Sequence, residues 1–83
     1  DSSYVASLYE KGSEHICSKV LEEANELVEA TYENKQRMIH ESADLLFHVL
    51  VLLASHDIKY ARILEELENR FGTSGIEEKN NRK

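Results

Sequence analysis

Read at about 100° per residue, the segment from Gln36 to Ser55 or His56 is a helix apolar on nearly every side. One stripe is different: Arg37, Glu41, Asp44, His48 and Ser55. A helix hydrophobic almost all round is buried on most of its circumference. A chain of 83 residues has few elements with which to do this; at this size only about 60–65% of the unfolded surface is buried on folding. The core is therefore expected to be completed by another subunit. Carboxylates on such a helix do not sit on an ordinary wet surface, and buried carboxylates are rare unless paired or bound to metal. Arg37 can pair with Glu41 at i,i+4, but Asp44 needs a partner from another element.

The preceding helix offers one. Ser13 is placed to cap it, Glu14 lies favourably against its N-terminal dipole, and it should run from about Glu14 to Tyr32 or Glu33. It carries Glu22-Glu23-Ala24-Asn25-Glu26. Ile16, Val20, Ala24, Leu27, Val28 and Thr31 share its predicted core face; Glu23 lies at the margin of that face and Glu26 a little further round. Glu22 and Glu29 lie nearly opposite. With Asn34-Lys35 as the turn, two neighbouring helices would bring four or five carboxylates into one small volume, where they either protonate or hold a cation. A merely solvated acidic face is the plain alternative.

The remaining elements are short. Ser2-Ser3 opens a helix through Tyr4 to Tyr9 that stops at Lys11-Gly12, Gly12 suiting a left-handed C-cap. His56-Asp57 closes the apolar helix, and Asp57 should cap a fourth, about Ile58 to Phe71, ended by Gly72. Thr73 to Lys83 reads from composition as a frayed terminus. The expectation is one all-α domain over 1–83, a small bundle of about four helices. A formal charge of -6 argues against binding a nucleic-acid backbone. Cys17 is the only cysteine, so no internal disulfide is expected. No signal peptide is seen at Asp1, and Leu45 to Ala54 is too short to span a bilayer, so a soluble cytoplasmic protein is expected.

Oxygen ligands on rigid helices suit a hard ion, Mg²⁺ or Mn²⁺. His15, Cys17, His40, His48 and His56 show no structural zinc spacing, and the Glu-x-x-His pairs of di-iron bundles do not occur. His48, one turn beyond Asp44, reads as a hydrogen-bonded residue behind the ligands. No GxSxG elbow or P-loop is present. Metal-assisted phosphoanhydride hydrolysis follows as a class, with the leaving group open; a non-catalytic helical dimerisation module is the alternative from a different class.

Glu-Glu-x-x-Glu followed by Glu-x-x-Asp on consecutive helices resembles the all-α nucleoside triphosphate pyrophosphohydrolase superfamily, the group of MazG and the all-α dUTPases. Three further stretches narrow the resemblance to its phosphoribosyl-ATP pyrophosphatase family: Ser3 to Leu8 with Lys11-Gly12, Ala43 to Leu53, and Ser74-Gly75-Ile76-Glu77-Glu78-Lys79. The resemblance spans Ser3 to Arg82 and implies Mg²⁺-dependent hydrolysis of 1-(5-phosphoribosyl)-ATP at the α–β bond, the second step of histidine biosynthesis. It implies Glu23, Glu26, Glu41 and Asp44 as metal ligands, with Glu22 and Glu23 as the catalytic carboxylates, Glu22 being an outer ligand or helping to orient water. It makes 73–83 a flexible substrate-binding tail in which Ser74, Gly75, Lys79 and Arg82 contact phosphates, with Lys11, Gly12 and Lys19 as weaker candidates. It also implies a homodimer whose helices form a four-helix core. Family members usually carry a further helical segment before the Ser-Tyr motif, and some are fused to the cyclohydrolase of the following step. A housecleaning pyrophosphohydrolase of the MazG type is the alternative within the superfamily.

Overall fold

A computed structural model describes residues 2–72, and 73–83 lie outside the described residues. Four helices follow one another: α1 Ser2–Lys11, α2 Ser13–Ala30, α3 Lys35–Ser55 and α4 Tyr60–Phe71. No strand occurs among the described residues. The connections are local chemistry. Gly12 adopts φ +93, which side chains rarely tolerate, and its N–H donates to Leu8 O at 3.1 Å. Its own carbonyl accepts the first α2 bond, from Ile16 N at 3.1 Å. Gly12 is thus the N-cap and Ser13 already lies inside the helix; the Ser13 hydroxyl meets His56 Nε2 at 2.9 Å instead.

Residues 31–33 make one tight turn, and Asn34 caps α3 by accepting from Arg37 N at 2.8 Å. At the far end Asp57 does not cap α4. It takes φ +60 while its N–H closes on Ala54 O at 3.0 Å, and α4 starts after Lys59 without a side-chain cap. A short aspartate side chain tolerates the left-handed region, so the residue ends one helix rather than starting the next.

α2 and α3 form an antiparallel hairpin, tied at its open end by Ser13 and His56 and near its turn by Arg37 and Glu33. α1 lies across the open end. Leu8, Ile16 and Val51 are buried there together with Leu52 packed against them, while Ala30 is buried nearer the turn.

Which faces meet is less conventional. α3 buries Glu41, His48 and Val51, so its polar stripe is the one turned toward α2. Ile39, Leu46 and Phe47 remain exposed. α2 buries Ile16, Glu23 and Ala30, a stripe of seven-residue spacing, whereas Val28 and Thr31 of the predicted core face are exposed. The inner face of α2 is therefore rotated toward its carboxylates, because the surface it packs against carries carboxylates and their compensating cations. α4 buries no residue at all. By length and composition α3 is apolar enough to cross a membrane, contrary to the estimate from Leu45 to Ala54 alone. Its buried Glu41, set against the carboxylates of α2, and its buried His48, bonded to Tyr4 of α1, are equally what the central helix of a bundle requires.

Candidate metal centre

The two acidic signatures meet where α2 and α3 face one another. Glu23, Glu26 and Glu41 each offer a carboxylate oxygen within 4.8 Å of the others. Glu23 is 7% exposed and Glu41 2%. On α3, His40, Glu41 and Asp44 form a second group of the same compactness, with Glu41 common to both. The structure thus brings together Glu23, Glu26 and Glu41, and places Asp44 beside Glu41 one helical turn on. Glu22 points to the exposed side, where it holds Lys19 at 3.1 Å.

Two cations stand at the rim. Arg37 reaches Glu41 Oε2 at 2.8 Å and Glu33 at 3.3 Å; Lys19 lies 4.0 Å from Glu23. They leave one oxygen on each buried acid without a donor: Glu23 Oε1 and Glu41 Oε1. An unsatisfied buried acceptor costs about 1–3 kcal/mol, more when charged. Two remedies exist, a proton or a cation. The proton option shows in Glu26, whose carboxyl is raised above its ordinary 4.5 first by a hydrogen bond with Glu41, then by desolvation and the charges of Glu23, Glu41 and Glu22. Lys19 is held above its usual value chiefly by its bond to Glu22. An oxygen donor set with two orphaned buried oxygens fits a hard divalent ion.

His48, 5% exposed, lies behind this group. It donates from Nδ1 to Asp44 O at 2.8 Å, and its Nε2 meets the Tyr4 hydroxyl at 2.7 Å. Both ring nitrogens are engaged, which fixes the ring and ties α1 to the backbone of Asp44. The phosphate-binding candidates are scattered. Lys19 is engaged by Glu22 and Glu23. Lys11 ends α1 and Gly12 caps α2, Gly12 lying about 16 Å along the helix from Glu23 at 1.5 Å per residue. Ser74, Gly75, Lys79 and Arg82 lie outside the described residues. His40, whose Nε2 is 3.4 Å from Asp44 Oδ2, is not a residue that zinc or Glu-x-x-His spacing selects. The signal was a His and an Asp four apart on one helix.

The phosphoribosyl-ATP pyrophosphohydrolase family profile matches residues 1–71. The chain is 49% identical to the phosphoribosyl-ATP pyrophosphatase of Vesicomyosocius okutanii, covering 99% of this chain and 79% of that one. Identity to the phosphoribosyl-ATP pyrophosphatase of Geobacter sulfurreducens is 51%, over 99% of this chain and 77% of the relative. The corresponding figures for the phosphoribosyl-ATP pyrophosphatase of Trichlorobacter lovleyi are 54%, 100% and 78%. No solved structure matches the chain. With the profile covering all but the last residues and identity near one half throughout, the chain belongs to the phosphoribosyl-ATP pyrophosphohydrolase family.

Proposed function

We propose that the chain hydrolyses 1-(5-phosphoribosyl)-ATP to 1-(5-phosphoribosyl)-AMP and pyrophosphate, the second step of histidine biosynthesis, as a cytoplasmic homodimer with Mg²⁺ or Mn²⁺. The observation that carries the chemistry is the pair of buried carboxylate oxygens, on Glu23 and Glu41, that no cationic side chain reaches, the proton of Glu26 being the one competitor for a bound cation. Membership of the family supports the substrate.

Glu23, Glu26, Glu41 and Asp44 would hold the ion. When bound, magnesium supplies neutralisation of the polyphosphate charge and polarisation at phosphorus. In the reaction a water oxygen forms a new bond to phosphorus and the bridging P–O bond breaks, releasing pyrophosphate. Glu22, exposed beside the buried set, and Glu23 orient that water and draw on its proton. Arg37 holds one oxygen of Glu41 at 2.8 Å and so fixes the carboxylate in place. His48 and Tyr4 hold the α3 backbone at Asp44. With a formal charge of -6 on the chain, an anionic substrate needs the bound cation together with Lys11, Gly12, Lys19 and the Ser74, Gly75, Lys79 and Arg82 of the tail.

Product analysis with purified protein, phosphoribosyl-ATP and Mg²⁺ tests the reading, with a panel of ordinary nucleoside triphosphates alongside. Preference for the panel would defeat the substrate but leave the chemistry. Asp44→Asn should lower pyrophosphate release by more than about 100-fold, since even residues behind a metal's ligands are worth 10–100-fold, while helical circular dichroism stays unchanged. Retained activity in that variant would remove Asp44 from the site.

A further inference from the structure

Where α1 meets α3, one buried imidazole is tied at both ends. His48 lies two helical turns beyond Glu41, within about 20° of the same direction around α3, and both are buried. Its Nδ1 is 2.8 Å from Asp44 O. A carbonyl only accepts, so Nδ1 carries a proton; in the neutral ring this leaves Nε2 as the acceptor and the Tyr4 hydroxyl as its donor, at 2.7 Å. The bond to Asp44 stays within α3, whereas the bond to Tyr4 comes from α1, 44 positions away in the chain. The Tyr4 ring stacks on Phe47, centroids 6.0 Å apart, and meets the imidazole edge-on at 5.9 Å. α1 reaches the α2 side of the centre as well: Lys19 is held above its usual value first by its bond to Glu22, with Tyr4 and Glu23 adding to the effect.

We infer that Tyr4 is a positioning residue: its hydroxyl, acting through His48, sets the rotation of α3 that turns Glu41 and Asp44 toward Glu23 and Glu26. An helix apolar on nearly every side has little in its hydrophobicity to choose the side turned inward. A buried imidazole does choose, because its nitrogens need partners. Without the Tyr4 hydroxyl, Nε2 is a buried acceptor with its donor removed. Rotating α3 to bring that nitrogen to water relieves it, and Glu41 turns with it because the two share one face. The carboxylates then converge less well and hold a cation less tightly. This inference rests on the reading of Glu23, Glu26, Glu41 and Asp44 as metal ligands.

Tyr4→Phe in the full chain tests it, since the variant keeps the ring against Phe47 and removes only the hydroxyl. In ¹⁵N NMR of the metal-free wild type, His48 should show a protonated Nδ1 and a hydrogen-bonded Nε2. In Tyr4→Phe the Nε2 resonance should move to that of an unbonded nitrogen. Calorimetric titration should give an Mg²⁺ affinity about 10-fold lower in Tyr4→Phe, and raising Mg²⁺ should restore pyrophosphate release. Tyr9→Phe, which removes an exposed hydroxyl from the same helix, should bind Mg²⁺ within about 2-fold of wild type. Unchanged Mg²⁺ affinity in Tyr4→Phe, or a His48 proton on Nε2 alone, overturns the role of Tyr4 and leaves the carboxylate centre standing. Equal losses in Tyr4→Phe and Tyr9→Phe overturn it as well. No Mg²⁺ binding by the wild type defeats both readings together.

Discussion

Glu26 shows what crowding does to a carboxylate that has no cation beside it. Its carboxyl is raised, first by the hydrogen bond with Glu41 and then by burial and the neighbouring acids. A folded-state value above the unfolded one means the native protein binds the extra proton between the two. Stability from this group is therefore present at low pH and is lost as pH rises from the ordinary glutamate value of 4.5 through the raised one. In EDTA, wild type should lose stability relative to Glu26→Gln across that window, and saturating Mg²⁺ should abolish the difference by replacing the proton. Parallel melting curves of the two proteins at every pH, without metal, would refute it. The residues of this centre were largely legible from spacing: Glu23 and Glu26 were ranked above Glu22 by helical angle, and the structure buries Glu23 and leaves Glu22 exposed. What spacing underestimated was depth, since a wheel gives Glu23 the margin of a face whose middle it occupies.

At the level of elements, the breaks between helices are set by single residues. Gly12 holds φ +93 between α1 and α2, and a Cβ built there meets nothing within 4 Å. Gly12→Ala would thus meet no neighbour but would hold an L residue at φ 93, ψ 174, a region essentially reserved for glycine, costing about 1–3 kcal/mol. For a domain of this size each kcal/mol lowers Tm by about 4–8 °C. A thermal melt should show that drop, and an unchanged Tm would mean the backbone relaxes to an ordinary conformation. Glycine and asparagine at breaks were readable because their chemistry is local. Asp57 ends α3 rather than capping α4, a choice that local chemistry leaves open because cap and left-handed terminator use the same residue type.

For the whole molecule, the described residues are too open to be self-sufficient. Their radius of gyration is 16.2 Å, against about 11–12 Å for a compact domain of this length. Ile39, Leu46, Leu67 and Phe71 stand exposed, Leu46 at 52% and Phe71 at 70%. Such faces favour self-association, because burying apolar area yields about 25 cal/mol per Å². Sedimentation equilibrium should give twice the 9.6 kDa chain mass, with a Tm that rises with protein concentration. Leu46→Glu should halve the mass while the α2–α3 hairpin stays helical. A wild-type monomer at micromolar concentration with a concentration-independent Tm would sink the dimer.

From the sequence alone came the four helices, the breaks near Gly12 and Asn34, and the pairing of two acidic signatures. These follow from what one residue does to its own backbone and from the fixed angle between side chains on one helix. Tertiary packing decided which side of each helix turns inward. Periodicity fixes angles within a helix and says nothing of the rotation of one helix against another. Hydrophobicity alone would have turned α3 the other way. What reverses it is Arg37 on Glu41, Lys19 near Glu23, and His48 tied to Tyr4, which let a polar stripe become the inner face and leave the oily sides outward.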